Sequence, residues 1–160
     1  ASLLGPGLPI DSAAVAEGLH AARVEGRMQV VADAPEVLLD VAHNPAAARA
    51  LAGELARAPV APTIAVFAAL CDKDILGIGR ALKGSFDHWL LAPIDSERAL
   101  SASEMATQLR EAAVTGAVDT LNSLPEAIDQ ARSLAGAQGR VVVFGSFRTV
   151  AEAWPLFESH

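Results

Sequence analysis

At 160 residues, 52% of them hydrophobic, the chain can bury one core without disulfides or a structural metal, so a single compact domain is the default expectation. A net charge of -7 with no compensating basic run excludes a protein that grips nucleic acid by its phosphates. The uncharged stretches are broken by Pro or Gly short of the roughly 20 residues a membrane span needs, and the lone cysteine, Cys71, excludes an intrachain disulfide and points to a reducing, cytoplasmic setting.

The start, Ala1-Ser2-Leu3-Leu4-Gly5-Pro6, has neither the basic region nor the apolar core of a secretory signal, and no initiator Met, which suggests an excised piece. From about Asp11 to Arg23 the residues Val15, Leu19 and Ala22 recur at helical spacing behind an Asp11 cap, predicting a short amphipathic helix. Met28 to Ala32 and Val37 to Val41 read as strands joined by Asp33-Ala34-Pro35-Glu36, a turn-forming tetrad, and so as a hairpin. At Asn44-Pro45 the period changes. Asn is a good cap, Pro suits the first helical position, and Ala48, Leu51, Ala52 and Leu55 make one apolar face.

Regular alternation follows: a strand Thr63 to Ala69, a helix around Ile75 to Leu82, a strand Trp89 to Ala92, and a helix around Glu104 to Ala113. A short strand near Val118 to Leu121 precedes a helix opened by Ser123-Leu124-Pro125-Glu126, which has capping-box spacing. Val141 to Phe144 and a last helix through Trp154 complete the chain. Strands such as Ile64-Ala65-Val66-Phe67 and Val141-Val142-Val143-Phe144 are apolar on both faces, the mark of parallel strands covered by helices on both sides. The expected fold is α/β, a Rossmann-like three-layer domain whose six-stranded mixed sheet has five parallel strands and one antiparallel edge strand.

In an open parallel sheet the ligand crevice lies beyond the carboxyl ends of the strands. Three of those ends are polar. Leu39-Asp40-Val41-Ala42-His43-Asn44-Pro45 delivers a carboxylate and an imidazole to the mouth of a helix whose free N–H groups favour anions. Asp40 there can accept bonds from a ribose hydroxyl or an amine, and His43 can meet a phosphate oxygen or a carboxylate. The same two residues can also serve only to cap and tie down the turn. Leu70-Cys71-Asp72-Lys73-Asp74 follows the strongest apolar strand; Lys73 could neutralise an anion or be merely solvated, and Cys71 reads as a small buried filler. Gly145-Ser146-Phe147-Arg148 ends another strand, where Gly lets a ligand approach the backbone and Ser146 could grip a carboxylate. Arg27, just ahead of the hairpin, could hold a phosphate bidentately or lie on the surface.

His20, His88 and His160 receive no role, and Gly77-Ile78-Gly79 sits inside a helix pattern without the third Gly of a dinucleotide fingerprint. The sequence holds no Gly-x-x-x-x-Gly-Lys-Ser/Thr loop, no Cys/His metal cluster and no nucleophile elbow.

Taken in order, Gly26-Arg27-Met28-Gln29, Leu39-Asp40-Val41-Ala42-His43-Asn44-Pro45, Asp72-Lys73-Asp74 and Val143-Phe144-Gly145-Ser146-Phe147 resemble the C-terminal domain of folylpolyglutamate synthases and bifunctional dihydrofolate synthases, in the Mur ligase superfamily. The resemblance spans nearly the whole chain. It implies that residues 1–25 are the end of a central ATPase domain and its linker, and that 26–160 are the C-terminal domain. It implies an ATP-dependent ligase that phosphorylates a dihydropteroate or folate carboxylate to an acyl phosphate, which the amine of L-glutamate then attacks. The P-loop and the Mg2+ ligands would belong to the central domain, so no metal residue is expected in this chain, which alone would be inactive. The resemblance further implies that Arg27 and Asp40 meet ATP, with Lys73 a third-rank candidate, and that His43 and Ser146 lie near the phosphate and the incoming glutamate, His43 being the catalytic candidate. Implied partners are ATP, L-glutamate, folate or dihydropteroate and the rest of the chain in cis, in a monomer. The rivals are a peptidoglycan Mur ligase domain, disfavoured by His43 in its Asp-x-Ala-His-Asn-Pro context, and a stand-alone nucleotide or amino-acid binding module.

Overall fold

The tetrad Asp33-Ala34-Pro35-Glu36 turns the chain as a hairpin. A computed structural model describes residues 27–158; the helix expected from Asp11 to Arg23, Gly26, His20 and His160 lie outside them. Strand β1 (Gln29–Asp33) runs antiparallel to β2 (Glu36–Asp40) across a cis Ala34–Pro35 peptide, with Asp33 opposite Glu36. Helix α1 (Pro45–Arg57) follows, its first turn fixed by the Asn44 side chain, which accepts the Ala47 amide at 2.8 Å, and by Pro45 at the opening position.

The remaining elements alternate as the hydrophobic pattern demands: β3 (Thr63–Phe67), α2 (Ile75–Ala81), β4 (His88–Leu91), α3 (Ala102–Glu111), β5 (Ala117–Thr120), α4 (Leu124–Ala135), β6 (Arg140–Phe144) and α5 (Phe147–Ala153), then a short 3-10 turn Trp154–Leu156. Ser123 opens α4 by accepting the Glu126 amide, while the Glu126 carboxylate reaches back to Asn122 rather than Ser123. The fully reciprocal box is at α3, between Ser101 and Glu104.

The strand order is β1-β2-β6-β3-β4-β5, parallel except for β1 against β2, as expected. Alternate residues of each central strand serve opposite faces. Leu38, Ala65, Phe67, Trp89, Val142 and Phe144 meet α1, α2 and α3 on one side. Val37, Leu39, Ile64, Val66, Val141 and Val143 meet α4 and α5 on the other. Every residue of β3 and β6 is buried, which is why neither strand shows the polar alternation of a half-exposed sheet. At the amino ends of the strands Arg140, 5% exposed, bonds Glu36 and the Ala58 carbonyl, so its charge is paired where it is buried.

The order of connections singles out the carboxyl end of β6, whose helix leaves on the opposite face from the helices of both its neighbours, β2 and β3. Strands β2 and β6 are hydrogen-bonded neighbours with Asp40 opposite Phe144, yet α1 leaves β2 toward one face and α5 leaves β6 toward the other. Two neighbouring strands whose helices diverge leave a crevice at their carboxyl ends, the position where open α/β sheets take ligands.

Candidate functional site

The crevice is a cavity of about 290 Å³, and Arg27, Met28, Asp40, His43, Glu54 and Phe147 are among its lining residues. Arg27, Asp40 and His43 therefore share one wall space, although the first two are 13 positions apart in number with a hairpin between them. Met28 stands at φ +44, and its amide donates to Asp40 Oδ2 at 3.0 Å. The Ala42 amide donates to Oδ1 at 2.7 Å. Asp40 thus ties both ends of the β1–β2 hairpin region together, and each of its oxygens retains a second lone pair for a ligand.

Burial pushes the Asp40 carboxyl above its ordinary value of 3.8, with the two amide bonds and the nearby Arg27 charge opposing the shift. A carboxylate at 7% exposure facing an exposed guanidinium has the polarity to seat a ligand that carries both hydroxyls and anionic charge. His43 is half-buried. Its Nδ1 lies 2.9 Å from the Val41 carbonyl, and because a carbonyl only accepts, Nδ1 carries the proton. Among the described residues no hydrogen bond engages Nε2.

Ser146 and Lys73 stand apart from this cavity wall. Ser146 is 3% exposed and caps α5, its Oγ accepting the Thr149 amide at 3.0 Å and lying 2.7 Å from Thr149 Oγ1. Thr149 Oγ1 in turn donates to the Ala68 carbonyl at 2.8 Å, so the hydroxyl pair joins the β6–α5 turn to the end of β3. Lys73 bonds Asp72 at 3.1 Å, and Asp72 also meets Arg98 at 3.2 Å; the hydrogen bond from Lys73 is the main cause of Asp72 titrating below 3.8. Arg98 could not have been paired with Asp72 from spacing, since the two meet only because the stretch after β4 pairs with the end of β3 at Leu70 and Ala99.

One expectation needs correction. Cys71 is exposed instead of a buried filler: the apolar strand ends at Phe67, and Cys71 falls in the turn beyond it, its amide donating to the Arg98 carbonyl at 2.8 Å. Gly145 is required by the protein's own packing, because a Cβ there would lie 2.1 Å from the Ala68 carbonyl oxygen, at φ +128. Phe147, quoted in the Gly-Ser motif but given no role, proves to be a cavity wall at 65% exposure. Its place one residue beyond Ser146 was the available signal. His88 bonds the exposed Asp119 at 2.7 Å on the outer strands, far from this chemistry. No three His, Cys, Asp or Glu side chains gather to hold a metal ion among the described residues, and no described helix is long and apolar enough to cross a membrane.

The doubly wound sheet, with a crevice where the helices leaving β2 and β6 diverge, defines a Rossmann-like α/β domain. Comparison with known families gives the particular one. The model of the Mur ligase glutamate ligase domain matches residues 26–147, and the chain belongs to that family. The dihydrofolate synthase/folylpolyglutamate synthase of Escherichia coli is 35% identical over 160 residues, covering 99% of this chain and 36% of the relative. That of Mycobacterium tuberculosis is 35% identical over 162 residues, covering 92% and 33%. Among solved structures, E. coli FolC in complex with ADP has 35% identity and a TM-score of 0.80, covering 96% of this chain and 36% of that one. The Yersinia pestis bifunctional synthase with Mn, AMPPNP and L-glutamate bound has 38% identity and a TM-score of 0.76, covering 93% and 35%. The chain spans about a third of the length of these two curated relatives.

Proposed function

We propose that this chain is the C-terminal part of an ATP-dependent ligase that adds L-glutamate to dihydropteroate, tetrahydrofolate or both through an acyl phosphate. The observation that carries this reading is the convergence of Arg27, Asp40 and His43 on one cavity at the switch point of the sheet. At about 290 Å³ the cavity sits at the bottom of the roughly 300–1,000 Å³ that small-molecule sites occupy. That size suits half a site, completed by a second domain.

In this reading residues 1–25 close a central ATPase domain and residues 26–160 form the lid. Arg27 neutralises nucleotide phosphate charge, and Asp40 accepts from a ribose hydroxyl through its remaining lone pairs. His43 presents Nε2 to the transferring phosphoryl group or the glutamate amine, and so is the catalytic candidate. In the same reading the Ser146 turn borders the glutamate and Lys73 lends positive charge to ATP, both from outside the wall of this cavity. ATP supplies the phosphoryl group; the Mg2+ that accompanies it takes its ligands from the central domain, and no step is assigned to a metal within this chain. Phosphoryl transfer is mostly positioning and charge neutralisation, so a domain that only closes over the nucleotide can still set the rate. A monomeric, cytoplasmic enzyme is expected.

The test is ATP-dependent glutamate addition by the full-length protein with dihydropteroate and with tetrahydrofolate as acceptors. Product with at least one acceptor, none from the 160-residue chain alone, and a loss of about tenfold or more in kcat/KM for ATP on Arg27→Ala are expected. Failure to glutamylate either acceptor ends the proposal.

A further inference from the structure

Phe147 is the most exposed of the large hydrophobic side chains among the described residues. It is the first residue of α5, a helix already opened by Ser146, so neither core packing nor capping requires an aromatic ring there. Its ring contact is with His43: centroids 6.0 Å apart and planes at 45°, inside the range where aromatic pairs attract. The two residues come from the ends of β2 and β6, whose helices depart on opposite faces, so the contact bridges the crevice itself. On the imidazole two constraints meet. The Val41 carbonyl demands Nδ1–H on one edge, and the Phe147 ring lies against the imidazole from the β6 side. A half-turn of the ring about χ2 would carry Nδ1 away from Val41 and place carbon there.

We propose that Phe147 is a positioning residue for His43, a wall that keeps the imidazole bonded to Val41 through Nδ1 and leaves Nε2 available to the ligand. This rests on the ligase reading only for the identity of that ligand. Phe147 acts through His43, so its effect vanishes when His43 is gone.

The experiment uses the full-length protein with 15N-labelled histidine at about pH 9, where a free imidazole is neutral. In the wild type His43 should show the Nδ1–H tautomer. Phe147→Ala should raise the share of the Nε2–H tautomer and lower kcat/KM for glutamate addition by roughly three- to tenfold. Phe147→Tyr, which keeps the ring, should do neither. Because Phe147 is largely exposed, its truncation should leave the thermal midpoint in place. In a His43→Ala background, Phe147→Ala should be silent. An unchanged tautomer in Phe147→Ala, or losses that multiply in the double variant, overturns the proposal. A wild type that forms no glutamate adduct refutes the ligase reading instead, and the tautomer comparison then decides this inference alone.

Discussion

Asp40 Oδ2 accepts the amide of Met28 at 3.0 Å, and Met28 is one of two described residues other than glycine at positive φ. A left-handed conformation costs an ordinary side chain on the order of 1–3 kcal/mol, and a charge-assisted bond of about 1.5–3 kcal/mol is of the size needed to hold it. Arg27 is the preceding residue, so the carboxylate that faces the crevice also decides where the guanidinium enters it. Sequence placed Asp40 and Arg27 at separate junctions; the bond makes them one unit.

The first prediction concerns pH. Because burial raises the folded value of Asp40 above the unfolded one, the folded state holds this proton more tightly. The contribution to stability is complete below the ordinary value of 3.8 and is lost as pH rises through the folded value. Urea titrations across that window should show a slope that disappears in Asp40→Asn. The variant should also be less stable at neutral pH by about 1–3 kcal/mol, since an amide cannot accept both the Met28 and Ala42 N–H groups. An identical slope in both proteins would show that Asp40 titrates as it does unfolded.

Ser146→Ala should destabilise the domain by about 1–2 kcal/mol, the usual loss for an N-cap with a buried partner left short. The readout is a lower urea midpoint with unchanged m. A shift too small to resolve would mean that solvent or backbone replaces the cap, and that the Ser146–Thr149–Ala68 chain does not hold the turn.

Two glycines give opposite expectations for the same change. Gly145→Ala meets the Ala68 carbonyl at 2.1 Å from an unfavourable φ, and should cost about 3 kcal/mol or more. Gly53→Ala meets nothing within 4 Å inside α1, and should stabilise by about 0.5–1 kcal/mol. Denaturation of both variants side by side checks the pair. If Gly145→Ala matched the wild type, the β3 and β6 ends could separate at little cost, and the crevice would be softer than its hydrogen bonds imply.

Periodicity and punctuation sufficed for the architecture because they act locally. Asn44-Pro45 opened α1, Ser123 capped α4, and fully apolar β3 and β6 announced a sheet covered on both faces. The antiparallel edge strand followed from a turn tetrad between two short strands. Motif order was enough to name the family resemblance, since residues at strand ends keep their sequence neighbours in the fold.

What the sequence determined by itself was therefore the strands, the helices between them and a list of candidates still to be tested, Arg27, Asp40, His43, Lys73 and Ser146. Tertiary structure alone decided which of these meet. Placing β6 between β2 and β3 brought Phe147 to His43 and Thr149 to Ala68, pairs separated by 104 and 81 residues in number, and the pairing of Leu70 with Ala99 brought Arg98 to Asp72. The physical reason is the range of the signals. Apolar spacing and caps report on a residue's own turn or strand, whereas the side chain that faces a site across a crevice is set by strand order, which no local pattern encodes.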